Sequence, residues 1–199
     1  GAVDMMHHMS SAWKKLFEEN EHTKEHTFTP YYAEKLKGLH KAMELKDLPK
    51  GILHGDAFLD NILVDKATGK FEAFVDFEDA CIGPLLLDLA CCAIGTCFDE
   101  DNTLNLKRLT CLLTGYNQVR PMKTIEMDNL LEFMKAGLLC NCSWRFKNFN
   151  IDHREVENCR DAHVELQQRI DYLETPEAVA AITKIIEGLK PSNSWCVVA

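Results

Sequence analysis

The sequence predicts a predominantly helical α+β fold with one small β-hairpin set among the helices. Apolar residues recur at helical spacing over most of the 199 residues, which favours helices towards both ends of the chain. Short β-like runs are confined to residues 49–85. With 46% apolar and 27% charged residues, the chain is large and apolar enough to fold around one core.

Residues 1–48 are helical in pattern. Their apolar residues predict one helix around Trp13 and another around Tyr32. The polar segment Glu18–Thr29 separates the two and is expected to be a loop.

Residues 49–85 carry the predicted strands. Three short β-like runs lie in this region: Gly51–His54, Asn61–Asp65 and Phe71–Asp76. The turn-forming segment Lys66–Lys70 separates the last two runs, which are therefore expected to pair as a hairpin.

Residues 86–190 are predicted to form a helical region, and residues 191–199 are predicted to form a short tail. Thr175 is expected to cap a helix that begins at Pro176. We expect the whole chain, residues 1–199, to form a single domain. The predicted helices are Leu86–Cys97, Thr103–Tyr116, Thr124–Lys147, Arg154–Leu173 and Pro176–Leu189.

The charge balance excludes a nucleic-acid binder. The chain has 22 Lys and Arg residues against 31 Asp and Glu, a formal net charge of −9, and no dense basic run. A nucleic-acid-binding surface needs positive charge to neutralise phosphates. No apolar run reaches the roughly 20 residues needed to cross a bilayer, and no secretory signal opens the sequence. We therefore expect a cytoplasmic protein.

The nine cysteines are predicted to be reduced thiols, most of them in the core. Cys140 and Cys142 have no Cys/His pair nearby, which makes them a poor zinc site. His7 and His8 are adjacent, so on a helix they point about 100° apart and cannot chelate one ion from a single face.

Four polar residues stand out against the apolar surroundings of the strand region: His54, Asp56, Asn61 and Asp76. A predicted strand ends at His54, and a loop follows that carries Asp56 and Asn61. The last predicted strand ends at Asp76, so the carboxylates and the amide are expected to converge. Transfer of a phosphoryl group from ATP needs such a set, because Mg²⁺ takes oxygen ligands and a further carboxylate must accept the proton of the attacking hydroxyl.

The order of these residues is that of a kinase catalytic loop. Asn61 follows Asp56 at an offset of five residues, and Asp76-Phe77 comes later. Gly55 stands where protein kinases carry an arginine, and no Ala-Pro-Glu-like element follows at a useful distance. A protein substrate is therefore not expected.

Two segments resemble a known superfamily: His54–Val64, HGDAFLDNILV, and Phe74–Ala90, FVDFEDACIGPLLLDLA. They are similar to the C-terminal lobe of the aminoglycoside phosphotransferase/choline kinase superfamily, which has a protein-kinase-like fold. Within it the sequence is most similar to kinase-like homoserine kinases, a likeness that Gly115–Pro121, GYNQVRP, shares.

The resemblance implies a role for each residue of the motif. Asp56 would be the catalytic base, and Asn61 and Asp76 would bind Mg²⁺. The expected supporting and acceptor-side residues are His54 and Asp88, which would hold the catalytic loop, and Glu78 and Asp79, which would lie near the acceptor.

The resemblance further implies transfer of the γ-phosphoryl group of ATP to a small alcohol, with a homoserine-like amino acid as first choice. Choline, ethanolamine, an aminoglycoside or hydroxylysine are alternative acceptors, and a cationic acceptor would suit an acidic pocket. The superfamily's N-terminal β lobe, with its ATP-binding lysine, has no counterpart before Gly1, so this lobe is expected as a partner in cis. A non-catalytic interaction or regulatory module derived from such a lobe is the competing hypothesis.

The last four residues, Cys196 to Ala199, fit a prenylation pattern. Association with a membrane is expected only if Cys196 is prenylated, and one prenyl chain without a basic cluster anchors weakly.

Overall fold

The computed structural model describes residues 9–43 and 46–190. In this part of the chain helices dominate, which confirms the predicted α+β class. The helices are α1 (Ser11–Glu19), α2 (Phe28–Met43), α3 (Leu85–Thr96), α4 (Leu106–Val119), α5 (Thr124–Lys147), α6 (Val164–Leu173) and α7 (Pro176–Leu189). The strands are β1 (Lys50–Leu53), β2 (Ile62–Val64), β3 (Phe71–Phe74) and β4 (Cys81–Pro84).

The strands form two separate antiparallel pairs rather than one hairpin. β2 pairs with β3 as predicted, whereas β1 pairs with β4, so that Ile52 lies opposite Ile82. The sequence does not predict β4, because Gly83-Pro84 is typical of a turn. Pairing with β1 creates this strand, and Pro84 is tolerated because it stands at the strand's end.

Helix α5 is the centre of the core and packs against α2, α3 and α6. Its buried residues lie on most of its faces, as expected for a helix surrounded by others. Gly137 keeps α3 close to it, since a Cβ at this position would lie 3.0 Å from Cδ1 of Ile94. None of the helices described is both long and apolar enough to span a membrane.

Two predicted helices begin later than expected. The helix predicted over Thr103–Tyr116 is α4, which starts at residue 106 because Oδ1 of Asn105 accepts the backbone N–H of Arg108 as an N-cap (3.0 Å). Of the helix predicted over Arg154–Leu173, only the second half is helix α6. The residues before α6 form short π- and 3₁₀-helical turns, in a stretch that is mostly polar.

The predicted cap of the last helix is confirmed. Oγ1 of Thr175 accepts the backbone N–H of Ala178 (3.2 Å), and Pro176 is the first residue of α7. Three residues singled out in the sequence, His7, His8 and Cys196, lie outside the described residues.

Cys91, Cys92, Cys97, Cys111, Cys142 and Cys159 are free thiols. Cys91, Cys97, Cys140 and Cys142 are buried, whereas Cys111 is exposed. Burial raises the pKa of the Cys91 and Cys142 thiols, so they stay protonated and unreactive at neutral pH.

Two histidines lie in an aromatic cluster between α1, α2, α5 and α6. His163 is only 1% exposed, and its ring centre lies 5.5 Å from that of His26 and 4.9 Å from that of Phe146. Burial lowers the pKa of both histidines, although the carboxylate of Asp161 acts in the opposite direction. Both rings are therefore uncharged at neutral pH.

The pair of His26 and His163 predicts that the folded protein is less stable in acid. Because the folded-state pKa of each histidine lies below its ordinary value of 6.5, the unfolded chain binds more protons as the pH falls through that range. The free energy of unfolding should therefore decrease from pH 7 to pH 5. His163→Asn keeps an N–H donor for the Arg160 carbonyl and cannot be protonated, so urea unfolding of this variant should show a shallower pH dependence.

His153→Asn is the matched control, because His153 is exposed. An equal pH dependence in the two variants would contradict the role of the buried pair.

Candidate active site

The loop between β1 and β2 carries most of the predicted site residues, and its shape depends on Gly55. This glycine has a φ of +92°, a conformation that side chains rarely adopt. A Cβ at Gly55 would also lie 2.4 Å from the backbone oxygen of Asp79. Only glycine therefore allows the turn that carries Asp79 to lie against the loop.

The carboxylate of Asp88 attaches the loop to helix α3. The backbone N–H of His54 donates to Oδ2 of Asp88 (2.7 Å), and that of Gly55 donates to Oδ1 (3.0 Å). Asp88 lies in the first turn of α3, where the helix dipole favours a negative charge. Both carboxylate oxygens thus bind the residues that precede Asp56.

The buried ring of His54 connects the loop to the end of β3. Its Nδ1 accepts the backbone N–H of Asp56 (3.2 Å), which leaves Nε2 as the protonated nitrogen that donates to the Val75 carbonyl (2.8 Å). The ring of Phe77 lies against it, with ring centres 4.5 Å apart. His54 therefore fixes the distance between the loop and the segment that carries Asp76.

Asn61 holds the side chain of Asp56. Its Nδ2 donates to Oδ2 of Asp56 (2.8 Å) and to the Asp56 backbone oxygen (2.8 Å). Asn61 is buried, and no hydrogen bond within the described chain uses its Oδ1. The nitrogen of the Asn61 amide thus orients the Asp56 carboxylate, and the amide oxygen remains available as a ligand.

The pKa of Asp56 is raised. Partial burial of its carboxylate is the largest cause, and the negative charges of Asp79 and Asp60 act in the same direction. The hydrogen bond from Asn61 opposes the shift. A carboxylate with a raised pKa is a better proton acceptor than an ordinary exposed one.

Asp76 lies beside Asn61 because of a backbone contact. The N–H of Val75, the preceding residue, donates to the Asn61 carbonyl (3.0 Å). Asp76 itself has a φ of +61°, the left-handed conformation that Asp and Asn tolerate better than most residues, and is exposed. Its exposed side chain thus belongs to the residue that directly follows the one bonded to Asn61.

The oxygen atoms of Asn61 and Asp76 suit a hard divalent cation. An amide oxygen and a carboxylate are ligands that Mg²⁺ accepts, with water or phosphate oxygens completing the octahedron. Within residues 9–43 and 46–190, no group of three or more His, Cys, Asp or Glu side chains is arranged to hold a metal alone.

The predicted acceptor-side residues lie in the turn after Asp76. The N–H of Ala80 donates to the Phe77 carbonyl, which closes a turn that contains Glu78 and Asp79. Asp79 approaches the loop at Gly55 and its charge reaches Asp56. Glu78 is exposed, and no hydrogen bond in the described ranges joins it to the loop.

Phe58 also belongs to the loop, although it is not predicted as a site residue. Its backbone bonds with both Asp56 and Asn61. The sequence offers one signal for it, an aromatic residue between Asp56 and Asn61 in a short loop.

Residues 5–122, more than half of the chain, match the model of the phosphotransferase enzyme family, APH. The chain belongs to this family. The predicted membership of a kinase-like superfamily is thereby confirmed.

Curated relatives of this phosphotransferase family member carry the name homoserine kinase. A protein from Paramagnetospirillum magneticum is 40% identical over 89 residues, which are 43% of this chain and 27% of the relative. One from Methylobacterium radiotolerans is 33% identical over 125 residues, 60% of this chain and 37% of the relative. The aligned segments thus span well under half of these relatives.

A solved structure shares the fold. The choline/ethanolamine kinase family protein from Mesorhizobium loti aligns with a TM-score of 0.64 and 17% sequence identity. The alignment covers 92% of this chain and 59% of that protein. The helical lobe with its small antiparallel sheets is therefore a kinase-like fold, as the sequence predicts.

The hydrogen bonds between the loop and Asp88 predict that removal of this carboxylate destabilises the protein. Asp88→Ala leaves the backbone N–H groups of His54 and Gly55 without their acceptors, so the free energy of unfolding should fall by about 3 kcal/mol. Amide hydrogen exchange at these two residues should accelerate. Urea unfolding and exchange measured by NMR check both effects.

Asp88→Asn is the matched control, because its amide oxygen keeps one acceptor. It should lose less stability than Asp88→Ala. Unchanged exchange at His54 and Gly55 in the alanine variant would contradict the attachment.

Proposed function

We propose that this protein transfers the γ-phosphoryl group of ATP to the hydroxyl of a small molecule. The arrangement around Asn61 carries the proposal. This one residue binds the Asp56 carboxylate through its Nδ2, and its backbone oxygen brings the segment of Asp76 alongside. These two contacts support a site in which Asp56 is the proton acceptor and Asn61 and Asp76 are the ligands of a cation.

Asp56 accepts the proton of the acceptor hydroxyl in this proposal. The hydroxyl oxygen forms a bond to the γ-phosphorus while the bond from that phosphorus to the bridging oxygen of ADP breaks, and ADP leaves. Asn61 orients the Asp56 carboxylate through the 2.8 Å hydrogen bond to its Oδ2. The raised pKa of Asp56 favours uptake of the proton.

Asn61 Oδ1 and the Asp76 carboxylate would hold Mg²⁺ with ATP. When bound, the ion would neutralise charge on the phosphates. The open position of Asp76 leaves room for phosphate and water ligands.

We further propose an acceptor that bears an ammonium group, with a homoserine-like amino acid as first choice. Asp60 and Asp79 place negative charge near Asp56, and Glu78 adds another in the adjacent turn. An ammonium group would be attracted to such a site. The relatives named homoserine kinases support this choice, and the choline/ethanolamine kinase family structure supports the amino alcohols as alternatives.

The ATP site would be completed by an N-terminal β lobe in cis. Both strand pairs expose apolar side chains: Ile52 is 82% and Ile82 71% exposed on β1 and β4, and Val64 is 53% and Phe71 57% exposed on β2 and β3. Exposed apolar surface of this kind is typical of a face that another part of a protein covers. The greater length of the relatives supports a covering lobe of the same chain.

Cytoplasmic location and prenylation of Cys196 stay predictions. Mass spectrometry of the native protein tests the modification directly.

The role of Asp56 predicts the effect of Asp56→Asn. In the full-length gene product, turnover should fall by about 10² to 10⁴-fold while the affinity for ATP changes little, because the proton acceptor is lost and the phosphate contacts are kept. ADP release is measured with homoserine, choline and ethanolamine as acceptors, and calorimetry measures binding of Mg·ATP.

The unfolding temperature serves as the control for Asp56→Asn. It should not fall at neutral pH, because the substitution removes a carboxylate whose ionised form burial disfavours. Near-normal turnover of this variant would refute the role of Asp56. A wild-type protein that neither binds Mg·ATP nor releases ADP would favour the non-catalytic module.

The proposed role of Asp76 as a ligand predicts that its substitution raises the Mg²⁺ concentration needed for activity. Asp76→Asn tolerates the left-handed backbone but removes the charge, so the Mg²⁺ concentration for half-maximal activity should rise about tenfold or more. Glu72→Gln, an exposed acid on β3, is the matched control and should leave this concentration unchanged. Equal Mg²⁺ curves for both variants would exclude Asp76 as a ligand.

A further inference from the structure

Phe58 is the central backbone link of the loop. Its N–H donates to the Asp56 carbonyl (2.9 Å), and its own carbonyl accepts the N–H of Asn61 (3.1 Å). A displacement of Phe58 therefore moves the residues on both sides of it. Its half-buried ring is the part that could fix the loop from outside.

Gly95 on helix α3 receives this ring. A Cβ at Gly95 would lie 2.5 Å from Cδ1 of Phe58, and 3.2 Å from both Cγ and Cε1. Carbon atoms in van der Waals contact stay about 3.5 Å apart or more. The ring thus occupies the space that any other residue at position 95 would fill.

Gly95 and Asp88 lie on the same face of α3. They are seven residues apart, so in a helix of 3.6 residues per turn they project in nearly the same direction. Cys91 lies between them and is buried, and the charges of Asp88 and Asp56 both raise the pKa of its thiol. This face of α3 therefore runs beneath the loop.

We propose that Gly95 is a positioning residue, which sets the place of Asp56 and Asn61 by seating the Phe58 ring on α3. The importance of this seat for turnover rests on the proposed phosphotransferase function. Asp88 holds the start of the loop by hydrogen bonds, and Gly95 holds its middle by shape. A loop fixed at two points cannot rotate about either one.

Gly95→Ala tests the proposal. Its methyl group forces the ring away, and the shift passes through the Phe58 backbone to Asp56 and Asn61. Turnover should fall by up to about 100-fold with little change in the KM for ATP, because misplacement of a catalytic group by about 1 Å has effects of this size.

A measurement without turnover separates this proposal from the proposed function. The side-chain amide signals of Asn61 and the backbone amide exchange of Phe58 and Asn61 are followed by NMR. Gly95→Ala should shift the Asn61 signals and accelerate exchange at both backbone N–H groups, because the hydrogen bonds that join Phe58 to Asp56 and Asn61 are weakened. These readouts remain decisive if no acceptor is phosphorylated.

Gly188→Ala is the matched control. Gly188 is the last residue but one of α7, as Gly95 is of α3, and a Cβ there would meet nothing within 4 Å. This variant should keep the wild-type Asn61 signals and the wild-type exchange at Phe58 and Asn61. A Gly95→Ala protein that resembles Gly188→Ala in these readouts would overturn the proposal.

The variant Phe58→Leu shows whether the effect passes through the ring. In this background the smaller side chain leaves room for a methyl group, so Gly95→Ala should shift the Asn61 side-chain signals far less than in the wild type. If Gly95→Ala alone fails to fold, recovery of folding in the double variant supports the proposal. Failure of Phe58→Leu to relieve the effect of Gly95→Ala would overturn it.

Discussion

The carboxylate of Asp88 is the contact on which the candidate site depends. From the first turn of α3 it accepts the backbone N–H groups of His54 and Gly55, which join the loop between β1 and β2 to a helix packed on the central helix α5. A buried N–H without an acceptor is costly, so the loop is held where both are satisfied. Asp56 and Asn61 take their positions from this attachment.

The site combines a loop held by hydrogen bonds with the Asp56 carboxylate, whose ionised form burial disfavours. Burial and neighbouring carboxylates raise the pKa of Asp56, and the Asn61 amide only partly compensates. A chain selected for stability alone would have no reason to keep this charge here. The conflict is typical of functional sites, where chemistry is maintained against local stability and supported by the surrounding structure.

Local patterns were sufficient for much of the fold. The bounds predicted for the helices Thr124–Lys147 and Pro176–Leu189 coincide with α5 and α7, because apolar spacing and the Thr175 cap act within a few residues. The start of α4 was predicted too early, because the capping side chain of Asn105 overrides the pattern before it. The sequence does not predict β4, because Gly83-Pro84 becomes part of a strand only by pairing with β1.

The sequence by itself determined the helical class, the hairpin of β2 and β3, and the order of acid, amide and acid that indicates phosphoryl transfer. The tertiary structure alone decided how these groups meet. Asp88 binds a backbone N–H 34 residues away, Asp79 lies against Gly55, and the Phe58 ring fills the space above Gly95. Contacts between such distant positions depend on how helices and strands pack, and no local spacing of residue types encodes them.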